Sequence, residues 1–580
     1  MKRWWRRYRH IVIGLLVVLL VLGVAAGSAL VMQALLAVAG FAVNLGVLAA
    51  IVVIQVFFYL AFIFYYLGSA RVIDVLPGES DTLTLEDDYW GQPELVAVAR
   101  QWVSLLQDAG RLRAMGGQPV TGMLLSGPPG SGKSHLARCM AGSAKVPFLG
   151  IDGSRLGAAW LGIGAIKVMR LFGNARKYAR RYGACIVFID ELDAIGASRG
   201  GIEGMHFPMP MLAPRPAANV DGGVLNTLLT QIDAVNQAYH PFKARWYRLR
   251  GKPLPPPQYT LLVMGATNRP AMLDPALTRA GRFDVQINVE PADRAGRIEI
   301  IRNYLRGIET VHEIDVEGLA GQTTGLTPAD LKTLITRRAP ARAIFAGREG
   351  LANEDLRASL AEQSLGMRQP IAGMREADKR ALAYHEAGHA VTTWALTDDV
   401  VARVSIIRYT GGPHVGASLG HVSPVPEEER WNLSLREVTD KICAGLGGRA
   451  AELEFLGEAH TGAVGDLNLA RYRLIQLADE GYFGTLGFKF EPSDELSKEM
   501  DELYGKLLER ARKTLRAHAD KVQALVEALL EQEELDEEAA AEILGERPER
   551  EPDHAREAEA EPQAPTPADT PAMAGEPAPT

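Results

Sequence analysis

The pattern of hydrophobic and polar positions divides the chain into unlike stretches. From residue 11 to residue 70 there is no Asp, Glu, Lys, Arg or His. One bilayer-crossing helix needs about 20 apolar residues. The run therefore has room for two helices and a short turn, but hardly for three. The expected helices are 11–31 and 45–67, within a hairpin over 11–67, with the turn around 37–44. A short, mostly acidic connector follows at 68–95. Short apolar runs then alternate with helical patterns over 96–290, and 123–125, 185–189 and 261–264 read as buried strands. Such alternation predicts a parallel sheet covered by helices. Two segments interrupt it, 200–218, rich in Gly, Met and Pro, and 239–258, with Pro253 and Pro255 to Pro257; both read as surface loops. Residues 291–365 carry a largely helical pattern, expected to form a small lid. A hinge at 366–374 leads to a mostly helical region, 375–545. The tail at 546–580 is rich in Pro, Ala and Glu and holds too little apolar surface to fold.

Charge adds direction. Lys2, Arg3, Arg6, Arg7 and Arg9 precede the first apolar helix, in a basic segment 1–10, and Arg71 follows the second. Basic flanks stay on the cytoplasmic side. Both ends of the hairpin, and everything after Arg71, are therefore expected in the cytoplasm. A rival reading of the first span is a cleaved signal peptide, with small residues from Ala25 to Ala29; the apolar run is long for one. With no long Ser- and Arg-rich presequence ahead of it, the chain is expected in a bacterial inner membrane, as a multi-pass protein. A net charge of -8 argues against nucleic acid as the main partner, because phosphate binding needs a basic face. The three cysteines, Cys139, Cys185 and Cys443, are too scattered for a zinc knuckle or a disulfide framework and read as reduced core thiols.

Candidate chemistry lies in two places. Gly127, Pro128, Pro129, Gly130, Ser131, Gly132, Lys133 and Ser134 fit a nucleotide-binding P-loop between an apolar strand and a helix. In such a loop backbone N–H groups cradle phosphates. Lys133 would neutralise the β- and γ-phosphates, and the Ser134 hydroxyl would bind Mg²⁺. Asp190 and Glu191, at the end of the run 185–189, supply the carboxylates an ATP-hydrolysing site needs. Asp190 is placed to hold Mg²⁺, and Glu191 to polarise the attacking water.

The second place is His385-Glu386-Ala387-Gly388-His389. On a helix, residues four apart share a face, about 5–6 Å between Cβ atoms. Both imidazoles can then bind one Zn²⁺, and the adjacent Glu386 can take a proton from a water that the metal activates. A catalytic zinc needs a third protein ligand. Glu452, Glu454, His460 and Asp466 are the candidates downstream, and the chemistry alone does not choose among them.

These motifs, with Ala266-Thr267-Asn268-Arg269-Pro270 and the segment Leu273 to Asp284, resemble the AAA+ ATPase module. With the zinc motif downstream, roughly residues 96–545 resemble the FtsH family of membrane-bound ATP-dependent metalloproteases. The resemblance implies an α/β AAA+ P-loop module with a helical lid, a mostly α-helical zinc metallopeptidase domain and one Zn²⁺ per subunit. It implies that Asn268 senses the γ-phosphate of ATP, and that Arg279 and Arg282 reach a neighbouring subunit's nucleotide in a homo-hexamer. Trp160, Leu161 and Gly162 resemble the family's pore loop, with Trp where Phe is usual. Asp466 matches the family's third zinc ligand. Asp233-Ala234-Val235 stands where Asp-Gly-Phe is usual, a segment tied to communication between subunits. The expected function is a membrane-anchored ATP-dependent zinc endopeptidase acting on membrane and soluble polypeptides. The alternative is a membrane-anchored unfoldase or assembly chaperone with a silent peptidase site, against which the intact His385, Glu386 and His389 speak.

Overall fold

The computed structural model describes residues 2–68, 73–79, 82–156, 163–196, 221–235, 246, 249–251, 259–371, 373–411, 419–430, 432–483 and 494–548. The chain divides into two compact units, Met1–Tyr89 with Glu94–Glu290, and Trp90–Pro93 with Pro291–Thr580.

The N-terminal apolar run forms one helix, Lys2–Gly68, of 67 residues. Its segment Ile13–Gln33 has a mean hydropathy of 2.8, with none of its described residues covered by protein. A shorter apolar segment, Val47–Tyr59, follows. The turn expected around 37–44 is not formed. No proline occurs there, and a helix satisfies its backbone hydrogen bonds within the segment, so nothing local ends it.

The rest of the first unit is built on a six-stranded sheet. Its strands are β1 (Ile73–Val75), β2 (Gly122–Ser126), β3 (Phe148–Asp152), β4 (Ala184–Asp190), β5 (Thr260–Thr267) and β6 (Val285–Asn288). The order is β1-β3-β4-β5-β2-β6. Only β1, from the connector, runs antiparallel, against β3. The runs read as strands at 123–125, 185–189 and 261–264 are the centres of β2, β4 and β5. Alternate side chains enter two cores. Leu124, Cys185, Val187, Leu261 and Val263 join one with Phe172 and Leu228. Met123, Leu125, Ile186, Phe188 and Met264 join the other with Leu136 and Val103. A parallel sheet buried on both faces gives such near-continuous apolar runs.

The second unit begins with helices Arg294–Leu305, Val316–Gln322, Pro328–Thr333, Ala339–Phe345 and Asn353–Leu365 around Ile300, Leu331 and Leu356. Beyond them, helices Glu376–Leu396, Leu435–Gly445, Gly447–Ala451, Val464–Asp479, Asp494–Ala517 and Ala519–Gln532 share one core. A three-stranded antiparallel sheet, which the helical pattern did not anticipate, completes it: β7 (Asp399–Ser405) lies between β8 (His421–Pro426) and β9 (Glu534–Asp536).

Asp355 shows how the helical layer is held. It is 2% exposed and takes both Arg348 Nη atoms, at 2.7 and 2.5 Å, and the Ala352 amide at 3.0 Å. Burial alone would raise this carboxyl, but the Arg348 and Ala352 bonds outweigh it and hold it below the usual range. A carboxylate depressed in the folded state contributes stability above its unfolded pKa and loses it as pH falls through the folded value. Asp355→Asn should therefore cost about 2 kcal/mol near neutrality. In thermal melts the gap to wild type should narrow as pH falls toward about 3.

Candidate functional site

The first site lies at the carboxyl ends of β2, β4 and β5. β2 runs straight into the P-loop, where Gly127, Gly130 and Gly132 hold φ of 145°, 80° and 101°. Gly132 caps the helix Lys133–Ala144, whose first amides face the loop. Lys133 is 6% exposed and donates to Gly127 O at 2.8 Å, Pro128 O at 2.7 Å and Asn268 Oδ1 at 2.7 Å. Burial pushes its ammonium down, while Asp190 and Asp193 work the other way. The Ser134 hydroxyl donates to Asp190 Oδ2 at 2.6 Å. Glu191 follows with φ +47°, a left-handed backbone rare outside glycine and common at functional sites. Lys133, Ser134, Asp190 and Asn268 are thus brought together, because β5 lies between β2 and β4.

Arg279 is exposed. Arg282, expected to reach a neighbouring subunit, is held inside its own. It pairs twice with Asp233, Nε to Oδ1 and Nη2 to Oδ2 both at 2.8 Å, and donates to Ala276 O at 2.6 Å. Val235, at the place of the usual Phe, is 2% exposed in the sheet's core, so the smaller side chain still packs. Trp160, Leu161, Gly162, the loop 200–218 and nearly all of 239–258 lie outside the described residues.

The second site is on the helix Glu376–Leu396, which is buried almost all round from Ala383 to Ala395. His385 Nε2 and Asp466 Oδ2 are 3.1 Å apart, the two His Nε2 atoms 3.2 Å, and His389 Nε2 and Asp466 Oδ2 3.4 Å. Tetrahedral ligands at about 2.0–2.1 Å from zinc are separated by about 3.3 Å, so the triangle fits that ion. The cradle beside it is kept clear by Gly448, where a Cβ would stand 2.5 Å from both Nε2 atoms.

The other imidazole nitrogens are fixed. His385 Nδ1 donates to Glu452 Oε1 at 2.8 Å, and His389 Nδ1 to Ala444 O at 3.1 Å. Both Nε2 lone pairs are thereby aimed at the metal position. Burial disfavours the charged His385 ring, but Asp466 and Glu452 outweigh it and raise the imidazole to about 10. Asp466 is pushed up by burial and pulled down further by the two histidines, ending well below the usual carboxylate range. The same carboxylates that favour a charged ring here would also favour a divalent cation. Glu386 is 4% exposed, and burial raises its carboxyl against the pull of both histidines, which suits a group that accepts and returns a proton.

Of the candidates for third ligand, only Asp466 joins the histidine pair. Glu452 serves the far side of His385. Glu454 is taken by Arg516 at 2.7 and 2.8 Å and by Arg512 at 3.1 Å. His460 gives its backbone amide to Glu452 at 2.8 Å. His421 opens β8, where burial pushes its ring down to about 4, with Arg403 and His389 adding to the effect; His414 lies outside the described residues. Sequence reasoning missed the cradle at Gly448 and the orienting role of Glu452. The signal was the glycine pair 447–448 inside a helical pattern, which demands a packing reason.

Residues 123–291 match the model of the AAA family, "ATPase family associated with various cellular activities", and residues 372–478 that of peptidase family M41. The chain is 33% identical over 477 residues to the ATP-dependent zinc metalloprotease FtsH of Thermotoga maritima, covering 77% of this chain and 71% of that protein. It is 34% identical over 474 residues to the protein of that name in Pseudothermotoga lettingae, covering 77% and 69%. For Syntrophobacter fumaroxidans the figures are 32% over 494 residues, 81% and 70%. The chain belongs to the FtsH family. Within this FtsH-family chain the two matched regions contain the two constellations described above.

Two substitutions test the metal cradle. Gly448→Ala should abolish zinc retention in a folded protein, because its methyl group occupies the space between the imidazoles. Glu452→Gln should weaken zinc about 10- to 100-fold in competition with a chelator.

Proposed function

We propose that this chain is a membrane-anchored, ATP-dependent zinc endopeptidase that unfolds, translocates and degrades membrane and soluble polypeptides as a homo-hexamer. As a member of the FtsH family it is an ATP-dependent zinc metalloprotease. The observation that carries the reading is the His385, His389 and Asp466 triangle, with Glu386 on the helix of the two histidines, in a chain that also carries a P-loop. His385, His389 and Asp466 would hold the metal. Zinc bound there supplies the Lewis acidity that makes a water a nucleophile near neutral pH. Glu386 takes the proton and delivers it to the leaving amine. Residues 127–134 would cradle ATP, with Ser134 and Asp190 on Mg²⁺, Glu191 orienting water and Asn268 at the γ-phosphate. Arg279, and Arg282 once released from Asp233, would serve the neighbouring subunit. Trp160, Leu161 and Gly162 would grip the polypeptide.

Length supports the proposed membrane arrangement. At 1.5 Å per residue, a straight helix of 67 residues is about 100 Å long, against a hydrocarbon core of about 30 Å. In a bilayer the run would fold back near 37–44 into two spans. The basic N-terminus would hold both ends in the cytoplasm, and the inner membrane of a bacterium is the proposed location. The domain limits we propose are 96–290 for the ATPase core, 291–365 for its lid, 366–374 for a hinge and 375–545 for the peptidase, with 546–580 a tail.

The full chain in detergent or lipid, given an unfolded protein substrate and ATP, should cleave it. A zinc-selective chelator in excess Mg²⁺ should stop cleavage, and Glu386→Gln should lower it by at least about 10²-fold, while both leave ATP hydrolysis running. Glu191→Gln should stop hydrolysis. ATP hydrolysis without any cleavage by the zinc-loaded wild type would make the chain an unfoldase instead.

A further inference from the structure

The edge strand β8 joins two places that matter. At its start, Gly420 lies so close to Glu386 that a Cβ there would meet the Glu386 carboxylate. At its other end, three residues past Pro426, Glu429 enters the N-terminus of the helix Arg294–Leu305. Its Oε2 accepts the Arg294 amide at 2.9 Å. Its Oε1 takes Arg297 Nη2 at 2.6 Å and the Thr324 hydroxyl at 3.2 Å. Arg297 is 1% exposed and otherwise bound within its own layer, to Ala320 O at 2.7 Å, Ala292 O at 3.0 Å and the Thr324 hydroxyl at 3.3 Å. The guanidinium is therefore a fixed part of the helical layer 291–365, and Glu429 is the part of the peptidase that plugs into it. The Arg294 side chain adds a bond to Glu427 O at 3.0 Å.

We propose that Glu429 is a positioning residue that ties β8, and through Gly420 the catalytic Glu386, to the helical layer following the ATPase core. The proposal rests on the reading of 291–365 as the ATPase lid. A lid that shifts with the nucleotide would pull or release the C-terminal end of β8. A paired strand can carry such a displacement along its length, because every β8 residue faces a partner on β7, with one irregularity between Val401 and Arg403. The clamp is suited to this work: a charge-assisted, desolvated pair at a helix N-terminus has one good geometry, so it moves as a body or breaks. Other contacts, Gln322 to Glu537 at 3.1 Å and Arg403 to Arg357 O at 3.3 Å, attach the same layer elsewhere. Loss of Glu429 alone should leave the layer docked.

The test uses the full-length protein in lipid and two substrates, a short fluorogenic peptide and a stably folded protein with an unstructured tail. The readout is the stimulation of each cleavage by ATP. Glu429→Gln should keep zinc content and ATPase rate, and its ATP stimulation should fall roughly 5- to 30-fold on both substrates. Glu429→Asp should restore part of it. Thr324→Val, which spares the charge pair, is measured alongside and should lower stimulation by a smaller factor, so that poor folding of Glu429→Gln does not decide the outcome. Unchanged stimulation in Glu429→Gln, or in Thr324→Val if the former does not fold, would overturn the proposal. A wild type that shows no stimulation by ATP would instead overturn the reading of 291–365 on which it rests.

Discussion

At Gly388 and Gly447 the helices Glu376–Leu396 and Gly447–Ala451 approach so closely that a Cβ on either residue would meet the other's carbonyl oxygen. Thr392, one turn on, bonds to Gly388 O at 2.8 Å and to Ala444 O at 3.2 Å, and so seals the contact. The metal site depends on this approach. It brings Gly448 beneath the imidazoles, Ala444 O to one histidine and Glu452 to the other. A side chain at either glycine would move the second helix away by the width of a methyl group. The orienting hydrogen bonds, effective only near 3 Å, would be lost with it.

The nucleotide half is governed by strand order rather than by a single contact. A P-loop on β2, an Asn268 just past β5 and a carboxylate pair at the end of β4 converge because these strands are neighbours and parallel. Lys133 spans the gap. Its three bonds are short and its surroundings dry, so its positive charge is strongly expressed toward any phosphate that enters. Arg282 is different. Its bidentate hydrogen bond to Asp233 is made at a partly exposed site, where an ion pair is worth little net energy and can be exchanged.

Much of this was legible in the sequence, and the limits have physical causes. The P-loop, the Asp190 and Glu191 pair and the His385 helix are local: spacing and neighbouring apolar residues suffice to read them. Three of the six strands of the ATPase sheet, β2, β4 and β5, were visible because both faces are buried and the apolar runs are continuous. β7, β8 and β9 were not. All three are only partly buried, β8 carries two prolines, and β9 is three residues long and lies far along the chain from β7, its partner. The third corner of the metal triangle needed a likeness to the family, since four residues had suitable chemistry. Glu452 could be recognised only once the helix contact at Gly388 was known, because carboxylate chemistry suits either a ligand or an orienting partner. The 67-residue helix reflects the reverse limit: residues 37–44 hold no proline, and the helix runs through the turn expected there.

His385, His389 and Asp466 are expected to close on one metal while Glu452 stays on the far nitrogen of His385. Diffraction from the zinc-loaded protein, with anomalous data at the zinc edge, tests it most directly. One anomalous peak per subunit is expected, about 2.0–2.2 Å from both Nε2 atoms and from an Asp466 oxygen, with Glu452 still bonded to His385 Nδ1. A peak ligated by Glu452 in place of Asp466, or no peak between the two imidazoles, would contradict it.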